Sequence, residues 1–329
     1  MSNRAGVGQH PDQGTGAPSG GAAPYAADVE NRRGLALGTA AYLLWGLFPL
    51  YWPLLEPAGA TEVLAHRVLW SAVTMVFIIV LARRRRALAA LLADRRKVGL
   101  LTIGAVVIAV NWGTYIWAVN HDRVVEASLG YFINPLVTVL MGVLVLGERL
   151  RRLQWAAVGV ALAAVLVLSV DYGHPPYVAL VLACSFGTYG LAKKKADTGA
   201  LESLAYETWI SVPVAIAWLV WLGTRGESTF ATGEWWHTAL FLTTGVVTVV
   251  PLMLFSAAAT RVPMVSLGLL QYIAPVVQFI LGLVVFGEDM SAGRWAGFAL
   301  VWLALAVFTV EALRHRRRQL KLAAEASAL

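Results

Sequence analysis

The chain has 329 residues, of which 58% are hydrophobic and 14% charged, whereas a soluble domain carries roughly 45–50% apolar and about 25% charged residues. That excludes a soluble globular protein, and at about 20 apolar residues per crossing the chain has room for about ten membrane-spanning helices with short connections. The net charge of +7 fits either nucleic acid or the cytoplasmic face of a membrane protein, and the placement of the basic residues decides between them.

Residues 1–33 are polar and rich in Gly and Pro, which predicts a disordered cytoplasmic tail. The first apolar stretch runs from Gly34 to about Pro53 behind Arg32-Arg33, the pattern of a retained signal-anchor helix. Nine further runs follow, at about 63–82, 98–119, 124–146, 153–170, 175–192, 204–222, 236–259, 262–286 and 292–313. They are about twice the length of a barrel strand and lack its alternation, so helices are expected. Pro49, Pro135, Pro213, Pro251 and Pro275 lie inside these runs, which packed neighbours in a membrane bundle tolerate.

Alternate connections carry the basic residues. Twenty-two Lys and Arg fall on one side, in the N-terminal tail, 83–97, 149–152, 193–195, 261 and the segment after 313. The other side holds only Arg123, Arg225 and Arg294, and Arg67 lies within the second run. The positive-inside rule therefore places both termini in the cytoplasm, in agreement with an even number of crossings. The basic tail 314–329 reads as a topology and lipid-headgroup anchor, and nucleic acid is not an expected partner.

Catalytic and cofactor chemistry finds no foothold. The single Cys184 offers no disulfide partner, and the six histidines lack zinc spacing. No phosphate-binding GxxxxGK[ST] loop occurs. The expectation is no catalytic residue, no metal, no cofactor and no enzyme.

The chain repeats itself at a shift of about 140 residues. Pro135, Gly147-Glu148 and Trp155 recur as Pro275, Gly287-Glu288 and Trp295, all displaced by 140. Upstream, Arg123-Val124-xxx-Ser128-Leu129-Gly130 recurs as Arg261-Val262-xxx-Ser266-Leu267-Gly268, displaced by 138, so two residues are inserted between Gly268 and Pro275. Glu62-Val-Leu-Ala-His66-Arg67 matches Glu202-Ser-Leu-Ala-Tyr206-Glu207. A unit of five helices is odd, so its second copy enters the membrane from the opposite side, as in secondary transporters with inverted repeats.

With Leu64-Ala65-His66-Arg67, Ser128-Leu129-Gly130-Tyr131-Phe132-Ile133-Asn134-Pro135-Leu136, Gly147-Glu148 and Phe186-Gly187-Thr188-Tyr189-Gly190 in view, the chain resembles the drug/metabolite transporter superfamily. Within it the sequence is similar to the EamA-type permeases of the RarD branch, a chloramphenicol-sensitive and chloramphenicol-resistance permease family. The resemblance covers about 34–313. It implies ten helices in two inverted five-helix repeats, a bacterial plasma (inner) membrane location, export of small metabolites, and a substrate cavity between helices that include those of Pro135 and Pro275.

Candidate transport residues follow from polar groups inside apolar runs. Tyr131, Pro135, Thr138 and Gly142 share one helical face, and Gln271, Pro275, Gln278 and Gly282 repeat that pattern. Tyr42, Trp45, Trp52, Asn111 and Tyr115 are aromatic and amide groups that would complete a cavity for a partly apolar solute, and Tyr42, Trp45, Pro49 and Trp52 keep helical spacing on the first run. For each of these, polar helix packing without a ligand is the alternative. Trp52, near a helix end, reads as part of an interfacial aromatic belt. Arg67 and Glu207 are intramembrane charges at equivalent repeat positions, Arg67 as a receptor for an anionic substrate group and Glu207 as a protonatable or gating partner, with snorkelling to water as the alternative. The inversion separates them, so no direct salt bridge is expected. His66 is a second titratable candidate for coupling, and Pro135 and Pro275 are candidate flexible points. Glu148 and Glu288 end their helices against the dipole and so call for partners, with a role in fixing the loop turn. Lys193–Lys195 set orientation, and Lys193 is placed to face the cavity.

The sequence thus predicts an all-α membrane protein of ten transmembrane helices, with repeats at 34–170 and 175–313, that moves a small-molecule substrate across the lipid bilayer by alternating access. A homodimer is an additional option for its partners. A passive channel and a non-transporting membrane sensor are the rival functions.

Overall fold

The computed structural model describes residues 22–147, 150–262 and 264–327, and every regular element among them is helical. The helices are α1 (Ala22–Gly46), α2 (Ala60–Leu81), α3 (Arg85–Ala93), α4 (Arg95–Val119), α5 (Val124–Leu146), α6 (Arg152–Tyr172), α7 (Tyr177–Ala196), α8 (Ala200–Arg225), α9 (Trp235–Ala259), α10 (Met264–Leu270), α11 (Ile273–Val284) and α12 (Ala292–Ser327). Eight segments are long and apolar enough to cross a membrane: α2, α4, α5, α6, α8, α9, Ser266–Val284 and Ala292–Arg314. The chain is therefore a multi-pass membrane protein. α1, which contains Arg32 and Arg33, and α7, which ends in Lys193–Lys195, are not among the eight.

Three boundaries differ from the sequence expectation. The first run is not one helix to Pro53. α1 already begins at Ala22, in Ala-rich chain of high helix propensity, and it ends at Gly46. Two short 3-10 turns follow, Phe48–Leu50 and Trp52–Leu55, each with proline at its second position. Proline suits the first turn of a helix but not its interior, so Pro49 and Pro53 restart the chain twice. Trp52 consequently leaves the face shared by Tyr42 and Trp45.

The run 262–286 is split between α10 and α11 at Gln271-Tyr272. Pro275 cannot donate to the carbonyl of Gln271, and its ring crowds that group. The break also lies within the stretch where the second repeat carries its two extra residues. Pro135, without the insertion, is accommodated inside a continuous α5. Third, the basic stretch 83–97 contains α3, an amphipathic helix that buries Leu88 and Leu91. Asp94 then caps α4 by accepting the amides of Arg96 and Lys97 at 3.0 and 3.1 Å. At the other terminus, α12 runs on through the basic tail to Ser327.

α6 packs against α12, α2 against α8 and α9, α4 against α7 and α8, α5 against α7 and α11, and α1 against α9 and α11. Small residues on α6 (Ala157, Ala161, Ala164) let α12 approach, and Phe132, Phe279 and Phe298 fill the layer where α5, α11 and α12 meet. Trp52, Ile116, Val119 and Phe241 form a second core at the start of α2 and the end of α4. Phe77, Leu144, Val170 and Val214 are exposed outward, as expected of side chains that face lipid.

Candidate functional site

Arg67 lies two turns into α2 and is 3% exposed. Its Nε donates to Thr248 Oγ1 of α9 at 2.8 Å. Its guanidinium carbon sits 4.0 Å from the Trp112 ring centre, 5.1 Å from Trp52 and 5.7 Å from Phe48. The two 3-10 turns that the prolines create deliver Phe48, Tyr51 and Trp52 to this point, while α4 supplies Trp112. Among the described residues no carboxylate lies within salt-bridge distance of Arg67. Stacked rings attract a cation through their quadrupoles but do not neutralise it.

Tyrosines complete the surround. Tyr115 lies in the core cluster of Phe48 and Trp52, and Tyr51 and Tyr131 pack against it. The Tyr115 and Tyr131 rings meet edge to face at 5.7 Å. Tyr131 donates to Asn111 Oδ1 at 3.2 Å, and Asn111 Nδ2 donates to Leu182 O and Ser185 Oγ of α7 at 2.9 and 3.0 Å. Asn111 has its bonding capacity met by protein and fixes Tyr131. Tyr115 Oη and Trp52 Nε1 are buried with no hydrogen-bond partner among the described residues. Arg67, Asn111, Tyr115 and Tyr131 thus come together with Trp52, joined by Phe48, Trp112 and Thr248, which the sequence did not single out. Thr248, a hydroxyl inside an apolar run, was the available signal. Trp52 is fully buried, so it is not part of an interfacial belt.

Glu207 forms a separate cluster. Its carboxylate is 3.0 Å from Lys193 Nζ and accepts from Tyr189 Oη at 3.0 Å, and Lys193 also donates to Ser203 Oγ at 2.7 Å. Among the described residues Arg67 and Glu207 form no ion pair with each other. A narrow crevice of about 10 Å³ between α2, α4 and α8 touches a member of each cluster, being lined by Trp112 and Glu207 with Val68, Ala105, Ile108 and Leu204 among others.

The remaining candidates are dispersed. Tyr42 and Trp45 pack with Phe255 of α9. Gln278 donates to the carbonyl of Trp45 at 3.1 Å, satisfying an acceptor near the end of α1. Gln271 lies at the α10–α11 break rather than on a continuous helix face. Thr138 is exposed and donates to Asn134 Oδ1 at 3.4 Å. His66 is held between Phe230 and Phe241 at 4.6 and 4.5 Å, with neither ring nitrogen bonded among the described residues.

One end of the bundle is tied by carboxylates that cross between the halves. Glu288 accepts the amides of Val124 and Val125 at the start of α5, where the helix dipole favours a negative charge. Gly287 at φ 63° makes the turn that aims it, and Gly147 at φ 68° is its repeat counterpart. Burial pushes the Glu288 carboxyl up to about 7 against the pull of those amides. Glu148 lies outside the described residues. Glu126 accepts the Val178 amide of α7 at 3.1 Å, and Glu62 accepts the Thr229 amide at 2.8 Å and the Ser228 hydroxyl at 2.9 Å. Asp171 of α6 binds Arg294 at 3.3 Å and Ser291 at 2.6 Å at the start of α12. At the opposite end Arg151 pairs with Glu311, clamping the same two helices.

Comparison with known proteins gives the family. The EamA-like transporter family matches residues 32–170 and again 176–310. The chain is 56% identical over 292 residues to Protein RarD of Streptomyces exfoliatus, covering 89% of this chain and 93% of that one. It is 41% identical to Protein RarD of Escherichia coli (strain K12), covering 89% and 99%. The Chloramphenicol-sensitive protein RarD of Pseudomonas aeruginosa is 32% identical over 87% of this chain and 97% of its own. One solved crystal structure, 21% identical, superposes with a TM-score of 0.56 over 85% of this chain and 98% of its own, and so shares the fold. The chain belongs to the EamA-like transporter family, in its RarD branch.

Proposed function

We propose that this protein is a secondary transporter that exports a small organic metabolite or drug by alternating access. The observation that carries the reading is an exchange relation in the packing. Swapping α1 with α7, α2 with α8, α4 with α9, α5 with α11 and α6 with α12 maps the nine helix pairs named above onto one another or onto themselves, whereas the packing of α2 on α4 has no comparable counterpart between α8 and α9 among the described residues. The pairing of α1 with α9 and α11 becomes that of α7 with α4 and α5. Two related five-helix units, 34–170 and 175–313, account for this relation, with α1 and α7 completing ten crossings.

The charge pattern supports both termini in the cytoplasm, with the chain in a bacterial plasma membrane, and on that reading the end tied by Glu62, Glu126, Glu288 and Asp171 faces outward. These ties hold a state closed to the outside. Rocking of one unit against the other breaks them, with the α10–α11 break at Pro275 as a flexible point. Arg67, between α2, α4 and α9, then meets solute from alternate sides. A metabolite comparison of cells lacking and overproducing the protein tests the reading: a solute depleted inside and enriched outside on overproduction supports export, and no reproducible change across amino acids, drugs and other small metabolites contradicts it.

A further inference from the structure

We propose that the Arg67 cage is the receptor for a single anionic group, of carboxylate type, on a flat organic solute. The proposal deepens the transporter reading and rests on it. The other buried charges described above have a counter-ion or several hydrogen-bond donors: Lys193 pairs with Glu207, Glu126 with Arg123 and a helix amide, and Glu62 and Glu288 each accept from two or more backbone or hydroxyl donors. Arg67 is the exception. An ionised guanidinium has five N–H donors, and only Nε has a hydrogen-bond partner among the described residues. A buried charge without a counter-ion is costly, so its retention calls for a ligand that supplies the missing charge.

The surroundings define that ligand further. Among the described residues, Trp52 Nε1 and Tyr115 Oη are two more buried hydrogen-bonding groups left without partners, and both side chains pack in one cluster with Phe48 beside Arg67. Arg67, Trp52 and Tyr115 are the donors around this point that an anionic group would engage. One cation matches one negative charge, which favours a carboxylate over a phosphate dianion. The rings of Phe48, Trp52 and Trp112 form flat apolar walls suited to an aromatic or similarly planar body. Trp112 both covers the guanidinium and lines the crevice toward Glu207. The Glu207 carboxylate there is matched by Lys193 and does not repel an entering anion.

The test uses the purified full chain in lipid nanodiscs, with benzoate, 4-hydroxybenzoate and indole-3-acetate as probes, each set against its neutral amide. Calorimetric titration and thermal melting are the readouts. The expected result is binding of at least one acid, with its amide weaker by about tenfold or more. Arg67→Gln abolishes the acid-induced rise in melting temperature while melting no lower than the parent without ligand, because it removes an unpaired charge. Arg67→Lys retains a weakened acid preference. Binding of no acid in preference to its amide, or an undiminished acid response in Arg67→Gln, overturns the proposal. If Arg67→Gln does not fold, the acid-against-amide comparison in the parent protein decides alone. Proteoliposomes that carry solutes without preferring acids overturn the receptor and leave the transporter reading standing, whereas acid binding without transport of any acid overturns the transporter reading.

Discussion

The ammonium of Lys193 lies 3.0 Å from the carboxylate of Glu207, so the intramembrane acid is matched by a base from the next helix and not by Arg67 at its repeat-equivalent position. Removing Lys193 leaves Glu207, 3% exposed at its side chain, as a buried charge without a partner. Lys193→Met is expected to cost about 3 kcal/mol, and Lys193→Met with Glu207→Gln to recover most of it. Thermal melting of the single and double variants in detergent checks this, and equal melting of the two contradicts it.

Glu288 gives a pH dependence with a definite sign. Its carboxyl is pushed up to about 7 where it is buried against α5 and returns to the ordinary carboxylate range, about 4.3, once hydrated. The tied state therefore holds its proton more tightly, is favoured below about 7, and loses that advantage as pH rises through 7. In a Cys184→Ser background, labelling of Ala127→Cys by a membrane-impermeant thiol reagent is expected to rise between about pH 6 and pH 8. The rise should exceed that of the same protein carrying Glu288→Gln, which corrects for ionisation of the thiol itself. Parallel curves would remove Glu288 from the pH response.

Gly245 marks a place where α2 and α9 touch. A Cβ there would collide with the backbone of Trp70, whereas a Cβ at Gly190 meets nothing within 4 Å. Gly245→Ala is expected to destabilise the fold by about 1–3 kcal/mol or more through overpacking, with Gly190→Ala near neutral. Melting temperatures of the two variants side by side measure the difference.

Gln278 bonds the carbonyl of Trp45 where α1 is about to end. Gln278→Leu leaves that acceptor unmet and is expected to cost about 1–2 kcal/mol, with any ligand response at Arg67 unchanged. A loss of binding with unchanged stability would instead place Gln278 in the solute path.

Helix type was legible because apolar runs of about 20 residues have few other uses, and eight of the ten expected crossings are long and apolar enough among the described residues. The breaks were less so. Pro49 and Pro53 were visible, but whether a proline kinks, restarts or merely bends a membrane helix depends on what neighbouring helices offer the freed carbonyl, as the contrast of Pro135 with Pro275 shows. The two-residue insertion before Pro275 was the usable clue. In the site, Arg67 was legible by the cost of its charge, and Tyr115, Tyr131 and Asn111 by polarity. Trp52 and Trp112 were not legible as cage walls, since a tryptophan in an apolar run looks the same in a belt, a core or a cage. Glu288 was expected to need a neighbouring Arg or a backbone N–H, and backbone amides are its partners, but that they lie on α5, more than 160 residues away in sequence, only the packing of the two halves shows.

The central claim is carrier transport, and counterflow in proteoliposomes tests it most directly. With the solute identified by the metabolite comparison in labelled form, uptake is expected to saturate with concentration and to accelerate when vesicles are preloaded with unlabelled solute. Flux that rises linearly and ignores the preload would show a passive channel and contradict the account.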